Sequence, residues 1–177
     1  LERMLYHDVI DTSAWAKLYH RNLFDNVEYP KGKLFEDIGT TYQLMLQCDK
    51  IAVGYESKYN YIVRKGSIVN CSFSPKKLDL LEMTDKMADD VLKVYPDLDR
   101  AILRRQVYAR FSTLNQMRNS KGFDSEKKQM ISYIKDRKNV LLNDDNVPKR
   151  DVLAIKLLMC GYPAYKICWD LYEKIKK

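Results

Sequence analysis

Ile51-Ala52-Val53-Gly54-Tyr55 and Tyr59-Asn60-Tyr61-Ile62-Val63 are the stretches on which the fold class turns. Both are short and rich in β-branched and aromatic residues, and the polar Glu56-Ser57-Lys58 separates them, as expected of a strand pair or hairpin. Gly66 ends the second run. With this pair the chain reads as α+β and mostly helical, because the remaining elements are short helices upstream and a run of helices downstream.

Upstream, Asp11-Thr12-Ser13 offers capping oxygens for a short helix carrying Trp15 and Leu18. Pro30-Lys31-Gly32-Lys33 is a turn ahead of a second helix over 36–47. Beyond Ser74-Pro75 the pattern changes. Apolar residues recur about every 3.6 positions over 75–93, 97–118, 125–138, 148–159 and 163–176, with Pro or Gly at several breaks. In the second of these, Leu98, Ile102, Leu103, Val107, Phe111 and Leu114 form one stripe. The chain divides into 1–74, of mixed elements, and 75–177, an all-helical extension.

A hydrophobic content of 46% over 177 residues supports a packed core. Cys48, Cys71, Cys160 and Cys168 are too scattered for a disulfide framework or a metal-binding pair and fit a reducing compartment. No run approaches the roughly 20 apolar residues of a membrane span. The net charge of +7 is uneven: nine Lys/Arg face nine Asp/Glu in residues 1–75, and 22 face 15 in the rest.

Three groups of residues carry candidate chemistry. Glu36 and Asp37 open a helix about 100° apart, so they cannot form a symmetric acid/base pair; they either favour the helix N-terminus or include a base held ionised there. Trp15 is a core anchor or a stacking face for a sugar ring, and Lys17 is a solvated cation or a phosphate contact. Arg64, Lys65, Gly66 and Ser67 combine a planar donor fork, close backbone approach and a hydroxyl, which suits a phosphate as well as a basic surface turn.

The pattern Trp15-x-Lys17-Leu18-Tyr19 with Arg21 and Leu23-Phe24, the Glu36-Asp37 pair after its turn, and Arg64-x-Gly66-Ser67 together resemble the carboxyl-terminal portion of a bacterial family 2, GT-A-type, inverting glycosyltransferase. The resemblance covers about residues 10–75. It implies the acceptor-side half of a GT-A domain, with short helices and the small strand pair, followed by the helical extension. It further implies that Asp37 is the catalytic base with Glu36 beside it, that Arg64, Ser67 and Lys17 bind the donor diphosphate, and that Trp15 borders the acceptor.

The implied partners are a nucleotide-sugar donor and a saccharide or lipid-linked acceptor of surface polysaccharide synthesis. The divalent cation, Mg or Mn, has its ligands in a nucleotide-binding half expected before Leu1, so the chain alone is expected to be inactive and to self-associate through uncovered apolar surface. The expected location is the cytoplasm, with the basic aromatic helices of 148–177 either packed on the domain or lying on the inner membrane face.

Asp97-Leu98-Asp99 imitates a metal motif but follows Pro96 and opens a helix, so a capping role is expected. His7 and His20 lack a third ligand, and nucleoside-triphosphatase, serine-hydrolase and zinc-peptidase motifs are absent. The alternative is a basic helical interaction module for nucleic acid or a protein partner. It has no recognisable nucleic-acid-binding motif behind it.

Overall fold

The apolar rows of the sequence become the long helices of the computed structural model, which describes residues 1–62 and 72–175. The α-helices are α1 (Glu2–Tyr6), α2 (Glu36–Leu46), α3 (Asp79–Val94), α4 (Asp99–Met117), α5 (Asp124–Leu142), α6 (Lys149–Met159) and α7 (Tyr162–Ile175). Short 3₁₀ turns lie at Arg21–Phe24, Pro75–Leu78 and Pro96–Leu98.

Helix α4 is the centre, packing on α1, α3 and α5; α2 lies on α3, and α6 joins α5 to α7. Met83, Met87 and Val91 of α3 repeat every four residues and meet Ile102, Phe111 and Leu114 of α4 in one core. Met4 and Leu5 of α1 and Ile38, Tyr42 and Met45 of α2 enter the same core, so the segments on either side of Pro75 share it. Gly39 permits the α2–α3 approach: a Cβ there would sit 2.7 Å from Met83 Sδ.

Helix α4 also carries cations inward. Arg104 is 1% exposed; it donates to Asp151 of α6 and, at 3.0 Å, to the Leu5 carbonyl. Arg110 forks onto Asp85 of α3 with bonds of 3.1 and 2.9 Å. Arg118 reaches Asp170, at 2.6 Å, and Glu173 of α7. Part of the basic excess therefore ties helices together rather than facing solvent.

Three expectations are corrected. The first is the α+β class with its GT-A acceptor half: among the described residues there is no strand, and the architecture is all-helical. Residues 51–62 are irregular and exposed throughout, and Val63 lies outside the described residues. β-propensity expresses packing on a pleated surface, and two isolated strands are marginal without a third strand or a covering helix.

The second correction concerns the short helix around Trp15, where residues 12–19 form only bends and irregular backbone. The Asp11 carboxylate is consumed in a local turn, accepting from the Ser13 N–H and hydroxyl, and Ala16 is left-handed with φ of 55°. The third is smaller: Asp97-Leu98-Asp99 spans the start of α4 as expected, but no side chain caps that helix. Asp99 instead accepts from the adjacent Arg100 N–H.

Candidate functional site

A sharp reversal sets the acidic pair at the start of α2. Phe35 is left-handed, with φ of 59°, and its carbonyl accepts from the Ile38 N–H at 3.1 Å. A non-glycine residue holds that conformation at a cost of about 1–3 kcal/mol, and only where its surroundings enforce it. His7, Ala16 and Phe35 are the non-glycine residues with positive φ among those described. Ala16 and Phe35 directly adjoin candidate residues, and His7 sits beside the arginines behind them.

The 100° step between Glu36 and Asp37 separates their environments. Glu36 is exposed, whereas Asp37 is half-buried and accepts from the Ile38 N–H at 2.8 Å. Burial pushes the Asp37 carboxyl above its ordinary value; the Ile38 bond opposes this, Glu36 and Asp11 add to it, and the Arg105 cation counters it. The Asp37 charge also reaches Tyr19 and Tyr29, and burial, with that charge adding, raises both hydroxyls.

The loop before α2 is braced to it. Lys17, 17% exposed at its side chain, donates to Asp11 Oδ1 at 3.1 Å, the Ser13 carbonyl at 2.6 Å and Ser13 Oγ at 3.1 Å. Thr12 is the hinge pin: its carbonyl accepts from Thr41 Oγ1 at 2.7 Å, and its hydroxyl accepts from Arg105 Nη2 at 3.3 Å. Arg105 is 3% exposed, and burial lowers its pKa to about 10. Behind it, burial and the charges of Arg105, Arg104 and Arg150 depress His7 to about 3, against the opposing pull of Asp11.

Trp15 is 41% exposed and is not a core anchor. Its indole stacks on Tyr59 (5.0 Å between ring centres, 17° between planes) and leans on Tyr61 (5.4 Å, 32°). These rings make a surface aromatic patch from two irregular segments. The structure thus places Glu36 and Asp37 together, bonds Lys17 to Asp11, whose charge acts on Asp37, and sets Trp15 in the same loop; Arg64 and Ser67 lie outside the described residues.

Sequence reasoning did not assign Arg105, Asp11, Thr12, Tyr59 or Tyr61 to the site, reading Asp11 and Thr12 as helix caps and the tyrosines as part of a strand. The available signals were faint: Arg104-Arg105 interrupts an apolar stripe, and Tyr59 and Tyr61 stand two residues apart in an aromatic-rich run.

The ligands of the expected divalent cation are ones the resemblance puts before Leu1, and the described residues offer no cluster of their own for it. Asp11 is engaged by Ser13 and by the Lys17 ammonium, and among the described residues no group of three or more His, Cys, Asp and Glu could hold a metal ion.

No family model matches the chain, and no solved structure matches it. A stretch of 56 residues, 32% of the chain, is 39% identical to glycosyltransferase GlyA of Streptococcus pneumoniae serotype 4. The match covers 8% of that protein, so the chain spans less than a tenth of its relative's length. What the chain shares is a partial likeness to a glycosyltransferase.

Proposed function

We propose that the chain is part of an inverting family 2 glycosyltransferase and that Asp37 is its general base. The observation that carries this reading is the environment of Asp37: a half-buried carboxyl of raised pKa, beside an exposed partner, at a helix start fixed by a strained residue. A base of raised pKa takes up a proton near neutrality more readily than an ordinary surface carboxylate. The likeness to a glycosyltransferase supports the same reaction class.

In the proposed step an acceptor hydroxyl oxygen attacks the anomeric carbon of a nucleotide-sugar. A new C–O bond forms, the bond to the diphosphate breaks with its electron pair, and the hydroxyl proton passes to Asp37. Glu36, exposed beside it, orients the acceptor. Trp15 with Tyr59 and Tyr61 offers stacking faces to a saccharide. Lys17, bonded to Asp11 and Ser13, serves first as the brace of this loop; Arg64 and Ser67 are assigned to the donor diphosphate.

The acceptor is a saccharide or lipid-linked saccharide of surface polysaccharide synthesis. Ile167, Leu171 and Ile175 form an exposed row on α7, flanked by Lys166 and Lys174, and we assign it to an anionic membrane surface. Among the described residues no helix is long and apolar enough to cross a membrane.

The test is turnover of nucleotide-sugars by the full-length gene product, wild type against Asp37→Asn, with folding checked by circular dichroism. Turnover should fall by about 10²–10⁴-fold, the usual contribution of a general base. Undiminished turnover in folded Asp37→Asn would sink the assignment.

A further inference from the structure

Arg104, Arg110 and Arg118 each donate to a carboxylate, but their neighbour Arg105 does not. Arg105 is buried, its hydrogen bond is to the Thr12 hydroxyl, and its Nε and Nη1 have no partner among the described residues. Burying a guanidinium without compensating charge is costly. Its place therefore calls for a counter-charge at slightly longer range.

Hydrogen bonds lead from Arg105 to the first turns of α2. Thr12 joins Arg105 to Thr41, and Thr41 lies four residues along α2 from Asp37, on the same face. Asp37 and Asp11 are carboxylates whose charges act on Arg105, while Arg104 repels it and Tyr108 faces it. A diffusible anion would meet two carboxylates here, and Asp11 is already bonded to Lys17. That leaves Asp37.

We propose that Arg105 is a positioning residue for Asp37: braced through Thr12 against α2, it supplies the buried counter-charge that keeps the carboxylate in place. This rests on the reading of Asp37 as the base. The other groups facing Asp37 are Glu36 and Asp11, which repel its charge, and the phenols of Tyr19 and Tyr29. The helical extension would thereby contribute directly to the site.

The experiment is a carboxyl ¹³C NMR titration of Asp37 in the full chain, wild type against Arg105→Gln and Arg105→Lys. The Asp37 midpoint should rise in Arg105→Gln and stay near wild type in Arg105→Lys. In the full-length protein the acid limb of kcat should move up in parallel, with KM little changed. A midpoint unmoved in folded Arg105→Gln overturns the proposal. If that variant does not fold, Thr12→Val removes the hydroxyl to which Arg105 is bonded and leaves every charge and the Thr41 bond in place: an altered Asp37 resonance supports the proposal, and an unaltered one with unaltered turnover overturns it. Loss of turnover in Asp37→Asn with an unmoved midpoint sinks this inference alone; a moving midpoint with full turnover in Asp37→Asn sinks the base reading and the role proposed here.

Discussion

His7 shows how far burial bends an ordinary residue. Its folded pKa of about 3 lies below the usual 6.5 because burial and three nearby arginines disfavour the imidazolium. Between those two values the unfolded chain binds the extra proton, so stability falls as pH drops from about 6.5 toward 3. Asp90 acts lower down: its Lys86 and Tyr42 hydrogen bonds hold its carboxyl near 2, and its contribution is lost only below the usual 3.8. His7→Asn, which tolerates the left-handed backbone, should flatten the first slope by up to a few kcal/mol and spare the second. Urea midpoints measured from pH 7 to 2 check this; parallel slopes in both proteins above pH 4 would refute it.

At the scale of elements, α2 to α7 were legible because apolar residues at helical spacing bury one face whatever else surrounds them. Leu80, Met83, Met87 and Val91 announce α3, and the acidic pair announces the start of α2. The strand pair was misread because Val53 and Tyr61 have β-propensity but no sheet to join, and the Trp15 helix because Asp11 and Ser13 bond locally. Of the site, Glu36 and Asp37 could be seen, but the Arg105–Thr12 bond joins residues 93 apart and has no local signature. One contact inside this layer is tight enough to test. Gly39→Val should lower stability by about 2 kcal/mol, since the new side chain must displace the buried Met83. Thermal unfolding measures it, and an unchanged melting temperature would mean that Met83 yields freely.

Across the whole molecule, the exposed stretch 51–62 lies between two halves of a shared core. Tyr55, Tyr59 and Ile62 stand at 80%, 51% and 70% exposure, whereas Tyr42 before the stretch and Met87 after it are wholly covered. A protease should therefore nick the chain in this stretch first, yielding an amino-terminal piece with α1 and α2 and a carboxyl-terminal piece with α3 to α7. The two pieces should not part: Arg104 grips the Leu5 carbonyl, Thr12 takes Arg105, and Tyr6 donates to Asp144 at 2.6 Å. They should co-elute under native conditions and separate only in denaturant, and elution as two species would contradict this. A chain that survives cutting in this way is a natural split-protein pair, able to report by reassembly when its two pieces are made apart in the same cell.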